Sequence, residues 1–71
     1  MHYSNMTQSD RTTYYTRRHM LLKLAEESTE LAAELLKHVN KQDKDNMKRV
    51  VGEMYDVEKW LLRVKREFDI K

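Results

Sequence analysis

The chain has no cysteine, no proline and a single glycine, Gly52, among 71 residues. Without cysteine there is no disulfide and no thiolate metal site, and cysteine usage leaves the redox compartment open. Without proline, and with one glycine, little punctuates the backbone, so long uninterrupted elements are expected. A strong excess of charge is also missing: 14 basic residues nearly cancel 12 acidic ones, leaving a net charge of +2. That balance gives no strong signal for nucleic acid or a membrane surface. Apolar runs extend no further than three or four residues, far short of a membrane span. No apolar signal-peptide core is visible near the N-terminus, and a cytoplasmic location is expected.

What is present is charge and aliphatic periodicity. With 37% charged and 39% hydrophobic residues, the composition is that of a long-helix protein. A domain this small has a core that contributes only a few kcal/mol. Lacking disulfides and thiolate zinc, it is expected to gain buried area by assembling with further copies.

Residues 1–12 are polar and carry no period. They are expected to form a flexible N-terminal segment, with Asp10, Thr12 or Thr13 as candidate N-caps. Residues 13–71 are expected to form one helical hairpin domain. From Tyr14 to Val39, Leu21, Leu24, Ser28, Leu31 and Leu35 recur at spacings of three and four, the stripe of a buried helix face. Asn40-Lys41-Gln42-Asp43 breaks the pattern. Asn40 is a candidate for the left-handed position, and Asp43 or Asp45 for the next N-cap. A second helix is expected from about Asn46 to Phe68, where Met47, Val50, Met54, Val57, Leu61, Val64 and Phe68 alternate three and four without a fault. Folded back at residues 40–43, the stripes match in layers: Leu21 with Leu61, Leu24 with Val57, Ser28 with Met54, Leu31 with Val50, Leu35 with Met47. The expected fold class is therefore all-α, an antiparallel helical hairpin whose second stripe (Ala25, Thr29, Ala32, Leu36, Val39, Val51, Tyr55, Leu62) is covered by pairing hairpins into a four-helix bundle.

Two acidic signatures sit on these helices. Glu26-Glu27-Ser28-Thr29-Glu30 and Glu53-Met54-Tyr55-Asp56 each place carboxylates one turn apart on one face: Glu27 with Glu30, Glu53 with Asp56. Glu30 and Glu53 are equally far from the reversal, as are Glu27 and Asp56. With the stripe lettered a and d, Glu27 and Glu53 fall at g, Glu30 and Asp56 at c. All four are expected on one side of the seam, where like charges are unfavourable unless a cation neutralises them. That points to a metal site. The plain alternative is a solvated acidic face.

These residues resemble a known family. Lys23 to Leu31, with EExxE ending at Glu30, followed by Val51 to Glu58, with ExxD from Glu53 to Asp56, is similar to the MazG-like all-α nucleoside triphosphate pyrophosphohydrolases, closest in pattern to the short phage and bacterial forms. The resemblance covers roughly residues 20–68. It implies hydrolysis of a (d)NTP to the monophosphate and pyrophosphate, Mg²⁺ as cofactor with Mn²⁺ able to substitute, and work as a homodimer or homotetramer. It also implies Glu27, Glu30, Glu53 and Asp56 as metal ligands. Gly52 departs from the family, which often has an acidic residue there, and many relatives continue past the point where this chain stops.

Mg²⁺ takes oxygen ligands and is commonly held by a few carboxylates plus substrate phosphates, so a four-carboxylate site suits it. Glu30, with Glu27 beside it, is the candidate for orienting the attacking water. Further along the same face lie Lys23, Trp60 and Arg63, candidates for substrate binding: cations for phosphate oxygens, an indole for a base. Their plain alternatives are surface cations and a packing aromatic. Arg49 is level with Glu34, an expected ion pair, and His38 falls on the seam near the turn. A second function class is a helical adaptor that keeps the oligomerisation surface and binds a protein. A third, nucleic-acid binding through Arg11, Arg17 and Arg18, lacks one clean basic face.

Overall fold

The computed structural model describes residues 7–43 and 45–71. They form two helices, α1 (Gln8–Val39) and α2 (Met47–Glu67), packed antiparallel, with no strand among the described residues.

Helix α1 begins earlier than the sequence suggests. Thr7 is its N-cap: the hydroxyl accepts from the Asp10 N–H at 3.1 Å, and the Asp10 carboxylate accepts from the Thr7 N–H at 3.3 Å. This reciprocal capping box displaces Asp10, Thr12 and Thr13 as caps. The Thr12 hydroxyl instead donates to the Gln8 carbonyl, as in a helix interior. The expected flexible segment is thus helical from Gln8 onward, and its first six residues lie outside the described ones. The missing apolar period has a physical reason. Arg17 pairs with Glu67, the last residue of α2, at 3.0 Å, so residues 8–16 project past the end of α2. Helix α2 therefore imposes no apolar period on them.

At the other end the reversal falls where expected, with different chemistry. Lys41, not Asn40, takes the left-handed conformation, with φ of 59°; Asn40 has φ of −82°. The amides of Gln42 and Asp43 then donate back to the Lys37 carbonyl at 2.9 and 3.4 Å, satisfying a helix-end carbonyl. Neither Asp43 nor Asp45 caps α2. The Asp43 carboxylate accepts from the Asp45 N–H and pairs with Arg49. Asn46 occupies the N-cap position with no side-chain cap bond, because its amide is spent across the hairpin.

The seam is rotated from the expected one. The d row (Leu24, Leu31, Val50, Val57, Val64) packs between the helices, with Val50 at 2% and Val64 at 6% exposure. The a row does not: Leu21, Leu35, Met47, Met54 and Leu61 remain 43–48% exposed. The second row in the contact is g, with Met20, Glu27, Glu34, Asn46, Glu53, Trp60 and Glu67 all half-buried or buried. Two helices touch along one line, which d and g straddle. The a row lies beside that line on one broad face of the hairpin, and the c row (Lys23, Glu30, Arg49, Asp56, Arg63) lies on the other.

Candidate metal centre

Rotation of the seam carries the acidic g positions inward. Glu27 on α1 and Glu53 on α2 are half-buried between the helices, with exposed Glu30 one turn from Glu27. One carboxylate oxygen from each of Glu27, Glu30 and Glu53 lies within 4.8 Å of the other two. The expected convergence across the hairpin thus brings three of the four acidic positions together. Asp56 is half-buried one turn beyond Glu53 and lies outside that group.

Electrostatics at this point are unfavourable. The Glu53 carboxyl is pushed up to about 7, by loss of solvent first and then by Glu27 and Glu30. Glu30 is raised as well, chiefly by the charge of Glu27. The Oε2 atoms of both Glu27 and Glu53 are shielded from solvent and have no hydrogen-bond partner among the described residues. Ionised carboxylate oxygens only accept. Carboxylates in contact are therefore satisfied by a shared proton or by a cation. An all-oxygen anionic donor set is the kind that a hard divalent cation takes, and Glu27, Glu30 and Glu53 are the residues able to hold one.

The candidate substrate-binding residues fall into two groups. Trp60 is half-buried, with the His19 ring edge-on at 5.6 Å, the Arg63 guanidinium 4.7 Å from its centroid and the Lys59 ammonium at 5.2 Å. Trp60 and Arg63 thus form one cation–aromatic cluster one heptad from Glu53 along α2. Lys23 pairs instead with Glu26 at 3.7 Å. The expected Glu34–Arg49 pair is present at 3.5 Å.

Sequence reasoning passed over Asn46, which is fully buried. Its amide nitrogen donates to the Glu34 carbonyl at 2.7 Å and to the Glu34 carboxylate at 2.8 Å. Its oxygen must then accept, so the His38 Nδ1 at 3.0 Å carries the hydrogen. Half-buried His38 sits at the hairpin end as expected. Glu34, receiving the Asn46 hydrogen bond and facing Lys37 and Arg49, is held below the usual carboxylate range. Two acidic g positions one heptad apart on α1 thus have opposite fates: Glu34 is neutralised by donors, Glu27 meets more carboxylates. The signal for Asn46 was its spacing, one heptad before Glu53 and two before Trp60. His19, four residues before Lys23, was missed for want of any pattern.

Set against known protein families, curated proteins and solved structures, the chain has no match in any of the three.

Proposed function

We propose that this chain is a metal-dependent nucleoside triphosphate pyrophosphohydrolase that works as an assembly of helical hairpins. The reading is carried by the shielded, partnerless Oε2 atoms of Glu27 and Glu53 beside Glu30. Glu27, Glu30 and Glu53 would hold Mg²⁺, or Mn²⁺ in its place, with Asp56 completing the set from the next turn. Held there, a divalent ion would supply Lewis acidity for the triphosphate and for a water. Glu30, the most exposed of the three, orients the water toward the α-phosphorus. Trp60 offers a face for the base, and Arg63 a guanidinium for phosphate oxygens. Lys23 joins them once released from Glu26.

Assembly into a four-helix bundle is supported by the unburied a row, which together with Leu36, Val39, Val51, Tyr55 and Leu62 leaves one broad face apolar and exposed. The same face supports a second reading, a helical adaptor that docks a protein partner and turns over no nucleotide. An assay of the purified chain against a panel of (d)NTPs, with and without Mg²⁺, separates the two. Metal-dependent release of pyrophosphate and monophosphate is expected. Release of orthophosphate alone, or no release at enzyme concentrations near those of substrate, rejects the enzyme reading and leaves the adaptor.

A further inference from the structure

The exposed stripe on α1 has an internal symmetry. From one end it runs Leu21-Leu22, Ala25, Ser28; from the other, Leu36-Leu35, Ala32, Thr29. Leucine pairs stand at both ends, alanines inside them and hydroxyl residues at the centre. All eight residues are exposed on one helix face, while Leu24 and Leu31, which interrupt the stripe in sequence, turn into the seam. A single helix gains nothing from a palindromic face. A helix packed antiparallel on a copy of itself gains a match at every layer.

We propose that two copies of this chain pair head to tail, α1 against the partner's α1, about a twofold axis between Ser28 and Thr29. The proposal rests on the assembly reading above and fixes its geometry. A twofold places each copy's Leu22 with the partner's Leu35, Leu21 with the partner's Leu36, and Ala25 with the partner's Ala32. Small residues at the centre let the two backbones approach closely, and the leucines interdigitate on either side. The Thr29 hydroxyl already donates to the Ala25 carbonyl at 2.9 Å, so burying it at the crossing strands no donor.

The rest of the face agrees with this axis. Met54 and Tyr55 on α2 lie level with Ser28 and Thr29, and the same rotation sets Met47 against the partner's Leu62. The ends fit as well. Val39, the most exposed large hydrophobic among the described residues at 71%, stands at the turn end. The open end carries a groove of about 780 Å³ lined by Thr13, Tyr14, Arg17, Leu21, Leu22 and Phe68, among others. Rotation about the axis brings Val39 of each copy level with Arg18 at the partner's groove. Turn end and open end then complement each other twice, which a pairing of turn against turn does not achieve. Between Arg18 and Val39 the paired faces overlap over about 32 Å of helix; with a hairpin 24 Å wide that is roughly 770 Å² in projection, close to the ~800 Å² per partner that a standard interface buries.

The lack of cysteine makes the test clean. Leu22→Cys and Leu35→Cys proteins are prepared separately, shown by circular dichroism to keep wild-type helicity, and oxidised alone and as an equimolar mixture. A head-to-tail pair gives a covalent dimer in the mixture and little in either sample alone, because each residue lies about 20 Å along the helix axis from its own counterpart. Ala25→Cys mixed with Ala32→Cys repeats the test nearer the axis. Sedimentation of the wild type supplies the second arm. A wild-type dimer whose cross-link forms within the Leu22→Cys sample alone, or in no sample, overturns the head-to-tail pairing while the assembly stands. A monomeric wild type overturns both.

Discussion

The two broad faces of the hairpin share a backbone and a heptad but differ in what they leave unsatisfied. On the a face, the large side chains left half-exposed are chiefly aliphatic, and the Thr29 hydroxyl among them already donates to the Ala25 carbonyl. On the c face and its rim, carboxylates crowd until two oxygens have no partner. The first deficit is relieved by any apolar surface of matching shape and is indifferent to pH. The second is relieved only by protons or cations, and so depends on both. An a/d stripe in a hairpin is thus not one core. Here the d row holds the two helices to each other, and the a row is free for another surface.

The largest effect expected is on turnover. Glu27→Gln, Glu30→Gln, Glu53→Gln or Asp56→Asn should each lower metal-dependent pyrophosphate release by about two orders of magnitude or more, and pairs of them should lose little further, since ligands of one ion act as a unit. Glu26→Gln, exposed and engaged with Lys23, should keep most activity. Full activity in Glu53→Gln would show that the acidic rim has no part in the chemistry.

Next in size is the d row. Leu31→Ala should cost about 2–3 kcal/mol, low in the usual range because Leu31 is only half-buried, and lower the melting temperature by on the order of 10–20 °C. Ala32→Glu, on the other face, should leave the helicity of a single hairpin intact while shifting sedimentation to monomer. Equal sedimentation of Ala32→Glu and wild type would remove the a face from any interface.

The acidic rim should appear as a pH effect opposite to that of most carboxylates. Glu53 holds its proton more tightly when folded, so its contribution is fully present below about 4.5, the ordinary carboxyl value, and is lost as pH rises through about 7. Glu30, also raised, acts in the same direction. The metal-free hairpin should therefore melt at a lower temperature at pH 8 than at pH 5, and Mg²⁺ at pH 8 should restore stability by linkage. Glu53→Gln should flatten both responses. A metal-free melting temperature that rises steadily from pH 5 to 8 would contradict this account. The smallest effect belongs to Thr7→Ala, about 1 kcal/mol of capping, seen as faster amide exchange in the first turns of α1 and nowhere else.

Much of this was legible in the sequence because it rests on spacing. The two helices, the reversal at residues 40–43, the Glu34–Arg49 pair and the meeting of Glu27, Glu30 and Glu53 all follow from heptad position and distance from the turn. The misplaced features depend on competition between groups instead. Asn40 and Lys41 both lie where α1 ends, and the backbone bonds to the Lys37 carbonyl decide which becomes left-handed. Asp43 and Asp45 are good caps in isolation, but Asp43 has Arg49 to pair with and Asn46 has Glu34. The rotation of the seam was hidden for a similar reason. An a/d stripe specifies which residues avoid water, not which neighbour each of them meets.

The reach of α1 beyond α2 bears on how the chain folds. The nine residues from Gln8 to Thr16 are too few to nucleate a helix alone, since closing a first turn fixes several dihedrals for a single hydrogen bond. Their helix has to be extended outward from the paired region, one residue at a time, until the Thr7–Asp10 box stops it. Winding at this end is then a propagation reaction in the sense of the helix–coil transition, running backward against the chain's own numbering. Heating should unwind it progressively from Thr7 toward Arg17 before the paired helices separate together, so that helicity declines gradually ahead of the cooperative step.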